Sequence, residues 1–126
     1  MDTSILIDVL NQKHNRGQML ETLLLKGDTL ACCSVTVTEI YAGMRAHERT
    51  HTDQLLTSLT YYEVTRSIAR DAGLLKRDYG KQGVTLSLPD VTIAAVAIAH
   101  GLSLITDNVR HFPMPSLMLY PLPSTL

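Results

Sequence analysis

Short apolar runs alternate along the chain with longer segments in which apolar residues recur every three or four positions. A recurrence of three or four is typical of one face of a helix, whereas a short continuous apolar run is typical of a buried strand. The pattern predicts helices over residues 4–10, 18–26, 35–46, 52–59, 67–79 and 90–99. It predicts strands over residues 29–34, 61–64, 102–106 and 118–120. Strands that alternate with helices favour an α/β fold with a mainly parallel central sheet.

The predicted helix over residues 90–99 differs from the others because it is apolar nearly all round. Such a helix is usually buried on every side. Gly101 is expected to end it, since glycine readily adopts the left-handed conformation that follows many helices. Ser34 is expected to cap the start of the helix over residues 35–46.

The composition indicates one folded domain over residues 1–126. A chain of 126 residues can bury a core of its own, and a hydrophobic fraction of 45% argues against disorder. The two cysteines, Cys32 and Cys33, are neighbours, so a disulfide between them is not expected in a strand. This favours the reducing cytoplasm. The longest apolar run, over residues 91–99, is too short to cross a membrane.

Four acids lie where the predicted strands end or the predicted helices begin. Asp2 precedes the first apolar run, Glu39 lies in the helix after strand 29–34, Asp90 begins the buried helix, and Asp107 directly follows strand 102–106. Ligands of α/β proteins bind at the carboxyl edge of the sheet, so these carboxylates are expected to converge there. Carboxylates are the ligands that Mg²⁺ and Mn²⁺ prefer.

An ordinary structural role is open for some of these acids. An Asp at a helix start often caps the helix or interacts with its dipole, and Asp2 and Asp107 taken singly fit that role. Glu39 and Asp90 fit it less well, because each lies in a largely apolar segment.

The formal net charge of −1 does not indicate nucleic-acid binding. If the four acids belong to a metal site, however, the rest of the chain has 8 acidic residues and 11 Lys and Arg residues, so its remaining charge is mildly basic.

Two histidine-containing segments also suggest chemistry. Residues 47–51, HERTH, match the zinc-protease pattern H-E-x-x-H, which places two imidazoles on one helical face. Their polar flanks favour a solvated connection between helices instead. His111, next to Phe112, is expected either to lie near a bound phosphate or to pack locally.

The motifs around the four acids resemble those of the PIN-domain nucleases. The chain has DTSILID at residues 2–8, SVTVTEIYAG at residues 34–43, LPDVTIAA at residues 88–95, and LITDN followed by HF at residues 104–112. All four occur in the order found in that family, and the similarity extends to the VapC toxins of type II toxin–antitoxin pairs. The resemblance implies a three-layer α/β/α domain around a mainly parallel sheet.

The resemblance also implies an activity and a set of site residues. The activity is Mg²⁺- or Mn²⁺-dependent endoribonucleolytic cleavage, inhibited by a VapB-type antitoxin, in a protein that is usually a homodimer. Asp2 and Asp90 would be the principal metal ligands, Glu39 would bind the metal or orient its water, and Asp107 would complete the site. Asn108 is an alternative to Asp107. A PIN-like binding or regulatory module without catalysis is the alternative function.

One feature of the chain departs from the family pattern. PIN-domain nucleases carry a short apolar strand before the first Asp, but only Met1 precedes Asp2 here. Either the true start lies upstream of Met1, or the first strand is truncated. A truncated strand would leave neighbouring strands without partners and would lower stability or activity.

Overall fold

The computed structural model describes residues 4–7, 29–106 and 108–120 of the chain. The described strands are β1 (Ser4–Ile7), β2 (Thr29–Cys33), β3 (Thr60–Tyr62), β4 (Ser103–Ile105) and β5 (Met118–Leu119). The described α-helices are α1 (Ser34–Gly43), α2 (Arg49–Ser58), α3 (Arg66–Lys81) and α4 (Leu88–His100). Two 3-10 helices cover Ala46–Glu48 and Val109–His111. The elements predicted from residue 29 onward are all present, with ends shifted by a few residues.

The five strands form one parallel sheet with the order β3-β2-β1-β4-β5. β1 lies at the centre, where Leu6 is in register with Ala31 of β2 on one side and with Leu104 of β4 on the other. Because the strands are parallel, their carboxyl ends share one edge of the sheet, which is called the carboxyl edge below. α1 follows directly from the carboxyl end of β2.

The prediction of a helix over residues 4–10 is wrong for residues 4–7, which form β1. A short apolar run cannot be assigned to a helix or a strand by periodicity alone, and here pairing with two neighbouring strands decides the outcome. β1 follows Asp2 in the chain, so it is not the strand that the family carries before that acid. The expectation that neighbouring strands would lack partners is wrong for the described residues, because both β2 and β4 bond to β1. Residues 8–10 and the helix predicted over residues 18–26 lie outside the described residues.

Helices cover both faces of the sheet, as the three-layer prediction requires. On one face α3 and α4 pack with Leu104 of β4 and with Phe112. On the other face residues of α1 and α2 pack with Leu30 and Cys32 of β2 and with Ile105 of β4. Leu104 and Ile105 are neighbours that enter opposite cores, as the alternation of side chains along a strand demands.

α4 is buried on most of its surface, which confirms the prediction from its composition. Val91, Ile93, Ala94, Val96 and Ala97 are completely inaccessible to solvent. The helix ends at Gly101, whose φ of 64° places it in the left-handed region where glycine is favoured.

Two smaller predictions have different outcomes. Ser34 is the first residue of α1 and not its cap; Cys33 occupies the cap position and makes no side-chain capping bond. Cys32 and Cys33 are both buried free thiols, as expected. Burial, with the neighbouring Cys33, raises the pKa of the Cys32 thiol to about 11, so this thiol is unreactive in the folded protein. No helix of the described residues is long and apolar enough to span a membrane.

Candidate active site

Asp90 lies in the first turn of α4, where its backbone is fixed by a helix cap. The hydroxyl of Ser87 accepts a hydrogen bond from the backbone N–H of Asp90 at 3.2 Å, and Pro89 occupies the same first turn. Because Ser87 caps the helix, the carboxylate of Asp90 is not needed for that purpose. It lies instead in a partly enclosed position, with 19% of the side chain exposed.

Glu39 comes from a different helix and lies near Asp90. It is in the second turn of α1, and α1 packs against α4. Partial burial of the carboxylate raises the pKa of Glu39, and the negative charge of Asp90 raises it further. The residue as a whole is exposed, so the apolar surroundings expected from its neighbours in sequence are not found. Partial burial and, after it, the nearby charge of Asp90 distinguish this position.

Both acids belong to the carboxyl edge of the sheet. α1 starts where β2 ends, so its first turns lie at that edge. α4 leads through Gly101 into β4, so its last turn lies at the opposite edge and its first turn, with Asp90, at the carboxyl edge. Glu39 and Asp90 therefore lie at the edge where the sequence predicts the acids to converge, and their role as metal ligands stays a prediction.

The other two predicted acids lie outside the described residues. Asp2 precedes β1 in the chain, and Asp107 follows Thr106. The structure describes the residues on both sides of Asp107: the Thr106 hydroxyl is buried and accepts a hydrogen bond from the backbone N–H of Asn108 at 3.0 Å. Asn108 itself is exposed.

His111 also lies at this site. The sequence alone left open whether it lies near a bound phosphate or packs locally. Its Nδ1 atom lies 3.2 Å from Oδ2 of Asp90, and 58% of the side chain is exposed. The signal in the sequence was the pair His111-Phe112 shortly after Asp107. Only the fold shows that the histidine faces Asp90, which lies 21 positions earlier in the chain.

The two described carboxylates suit a hard divalent cation. They carry like charges on adjacent helices, and burial together with the charge of Asp90 raises the pKa of Glu39, so a cation bound between them would relieve a repulsion. Mg²⁺ typically keeps several of its waters and is held by one or two carboxylates together with substrate phosphates, so such a pair is sufficient on the protein side. Within residues 29–106 and 108–120, no group of three or more His, Cys, Asp or Glu residues is placed to hold a metal.

The zinc-protease pattern at residues 47–51 does not form a site. His47 lies in the 3-10 helix Ala46–Glu48, whereas His51 lies in α2, so the two imidazoles do not share one continuous helix. Both are exposed. The carboxylate of Glu48 accepts a hydrogen bond from the backbone N–H of Arg45 at 2.7 Å and thereby caps the 3-10 helix. The segment is the solvated connection that its polar flanks indicated.

The fold and the acid pair define a parallel α/β domain with an acidic site at the carboxyl edge of its sheet. The model of the PIN domain family matches residues 1–113 of the chain. The chain therefore belongs to the PIN-domain family, as the resemblance of its four motifs predicted.

Relatives and solved structures agree with this assignment. Ribonuclease VapC19 of Mycobacterium tuberculosis is 33% identical over 114 residues, which cover 90% of this chain and 91% of the relative. Ribonuclease VapC10 of the same organism is 40% identical over 89 residues, covering 71% and 67%. The structure of VapBC-1 from nontypeable Haemophilus influenzae has the same fold, with a TM-score of 0.78, 21% identity, and coverage of 95% of this chain and 97% of that chain.

Proposed function

We propose that this protein is a VapC-type endoribonuclease that depends on Mg²⁺ or Mn²⁺ and acts as the toxin of a type II toxin–antitoxin pair. The observation that carries the proposal is the approach of Glu39 and Asp90, which come from separate helices and meet at the carboxyl edge of the sheet. The names of the relatives, which are ribonucleases, support RNA as the substrate.

In this proposal Asp90 and Asp2 are the principal ligands of the metal, and Glu39 binds it or orients its water. Asp107, or Asn108 in its place, completes the site. A bound Mg²⁺ or Mn²⁺ would supply activation of a water molecule and stabilisation of the charge that develops on the phosphate. Glu39, whose pKa is raised, is also suited to accept a proton from a water at the open side of the site.

The biological setting follows from the same resemblance. We propose that a VapB-type antitoxin inhibits the protein, that the protein forms a homodimer, and that it acts in the cytoplasm. The similar structure from Haemophilus influenzae is a VapBC structure, which supports an antitoxin as the partner. The two buried free thiols are compatible with a reducing compartment.

The test is cleavage of a labelled single-stranded RNA in the presence of Mn²⁺. Asp90→Asn keeps the shape of the side chain and removes its charge, so we expect cleavage to fall at least about 100-fold while the protein stays folded, in line with the loss of a group that acts directly on a metal. Asp71→Asn is the control, because Asp71 is an exposed acid of α3 that pairs with its neighbour Arg70.

Two outcomes would contradict the proposal. Undiminished cleavage by Asp90→Asn would remove Asp90 from the site. An unmodified protein that is folded, binds no Mn²⁺ by calorimetry and cleaves no RNA would favour a PIN-like binding or regulatory module without catalysis.

The same assay tests the first acid of the site. β1 separates Asp2 from Asp8 in the chain, and Asp8 directly follows the carboxyl end of β1. The family motif predicts that Asp2→Asn abolishes cleavage and that Asp8→Asn retains it. The reverse result would mean that the direction of β1, and not the motif, decides which acid reaches the carboxyl edge.

A further inference from the structure

The contact between His111 and Asp90 joins two segments that are distant in sequence. Nδ1 of His111 lies 3.2 Å from Oδ2 of Asp90, which is a hydrogen-bonding distance. A carboxylate offers no proton, so the imidazole is the group of the two that can donate across this contact. The hydroxyl of Ser87 bonds the backbone of Asp90 and not its carboxylate.

The position of His111 is fixed by the core beneath it. His111 ends the 3-10 helix Val109–His111, where its backbone N–H donates to the carbonyl of Asn108 at 2.9 Å. The next residue, Phe112, is 2% exposed and packs in the same core as α4. Its backbone N–H donates to the carbonyl of Val109 at 3.0 Å. The buried phenyl ring therefore holds the histidine beside the first turn of α4.

We propose that His111 is a positioning residue that orients the carboxylate of Asp90 toward the divalent metal. The inference rests on the proposed function, since it concerns the same site. The terminal torsion of an Asp side chain is broad, so an unrestrained carboxylate samples many orientations. A contact that holds Oδ2 restricts these orientations and leaves Oδ1 available to a metal. Hydrogen bonds of this kind commonly orient metal-binding carboxylates and affect metal affinity when they are removed.

The exposure of the two side chains agrees with this role. The side chain of Asp90 is largely enclosed, at 19% exposed, whereas that of His111 is 58% exposed. A histidine also donates through Nδ1 without a permanent positive charge, whereas Lys or Arg in its place would repel a cation bound by Asp90.

The experiment measures Mn²⁺ affinity by calorimetry for the full chain and for three variants of His111. We expect His111→Ala to bind Mn²⁺ about 10- to 100-fold more weakly, the loss typical of removing such a hydrogen bond. His111→Asn retains an amide nitrogen near the position of Nδ1 and should recover most of the affinity. His111→Gln places its amide farther out and should not. His51→Ala, which removes an exposed histidine of α2, is the control.

Cleavage of a labelled single-stranded RNA provides a second readout. If His111 acts through Asp90 and the metal, the activity lost in His111→Ala should return when the Mn²⁺ concentration is raised by the same factor as the loss of affinity. Thermal unfolding in EDTA identifies a variant that is merely unfolded. If His111→Ala is unfolded, His111→Gln, which should not recover the affinity, serves in its place.

Three outcomes would overturn the inference. The first is a Mn²⁺ affinity of His111→Ala within twofold of the unmodified protein. The second is a loss of cleavage that no Mn²⁺ concentration restores, which would mean that His111 contacts the RNA directly. The third is a His111→Asn variant as weak as His111→Ala. Absence of Mn²⁺ binding by the unmodified protein would instead refute the proposed function itself, so the two failures are distinguishable.

Discussion

Glu39 and Asp90 bring two like charges together at the carboxyl edge of the sheet, and this affects how the stability of the protein depends on pH. Burial and the charge of Asp90 raise the pKa of Glu39 above its ordinary value of 4.5. The folded protein therefore holds the proton of Glu39 more tightly than the unfolded chain does. Its contribution to stability is fully present below pH 4.5 and is lost as the pH rises through the folded-state pKa of Glu39.

Replacement of Glu39 by Gln is expected to remove the loss of stability that accompanies ionisation of Glu39. In the metal-free protein at neutral pH, Glu39→Gln should raise the free energy of unfolding by at most about 0.5 kcal/mol, because the side chain is exposed and solvent screens the repulsion. The pH dependence between pH 4.5 and 7 should become flatter, as measured by urea unfolding in EDTA. A variant that is less stable than the unmodified protein would mean that Glu39 has a favourable partner. Added Mn²⁺ should stabilise the unmodified protein more than the variant.

At the scale of the element, the start of α4 links stability to the site. The capping hydroxyl of Ser87 fixes the backbone of Asp90, and an analogous cap exists at α3, where Thr65 accepts from the backbone N–H of Ile68 at 3.2 Å. The two caps have the same geometry, but only one lies beside a proposed metal ligand. They form a matched pair for separating helix stability from metal binding.

Ser87→Ala and Thr65→Ala should each lower the free energy of unfolding by about 1 kcal/mol, the usual cost of losing a side-chain cap. Only Ser87→Ala should also weaken Mn²⁺ binding, because the first turn of α4 carries Asp90. Urea unfolding and calorimetry on both variants test this. Equal Mn²⁺ affinities in the two variants would show that the cap does not position the acid.

At the scale of the whole molecule, the buried helix α4 and the parallel sheet determine where the site lies. α4 is covered by the sheet, by α3 and by the segment around Phe112, so its first turn cannot shift without disturbing one core. The opposite face of the sheet is closed by a second, smaller cluster around Leu30 and Ile105. The acids are therefore held by elements that packing makes rigid.

Substitutions that shorten a buried side chain of α4 test whether packing holds this helix in place. Ile93 is completely buried, so Ile93→Ala is expected to lower the free energy of unfolding by about 2–5 kcal/mol and Ile93→Val by about 0.5–1.5 kcal/mol. Val109 is 55% exposed, and Val109→Ala should change stability by less than about 0.5 kcal/mol. Urea unfolding gives all three values. A cost for Ile93→Ala close to that of Val109→Ala would contradict the packing around α4.

The sequence determined much of this protein by itself. The alternation of apolar runs with helical spacing gave the α/β class and the elements from residue 29 onward, because hydrophobic periodicity follows directly from which face is buried. The apolar composition of residues 90–99 gave the burial of α4. The four motifs gave the family and marked Glu39 and Asp90 as proposed metal ligands, because a metal site requires particular residue types at particular places in the chain.

Only the tertiary structure decided the rest. The short apolar run at residues 4–7 fits a strand and a helix equally well by its pattern. Pairing with β2 and β4 makes it a strand. The exposure of Glu39 and the charge that raises its pKa depend on how α1 packs against α4. The contact of His111 with Asp90 joins residues far apart in the chain, and no local pattern encodes it. Periodicity records burial along one segment, whereas a site is made where separate segments meet.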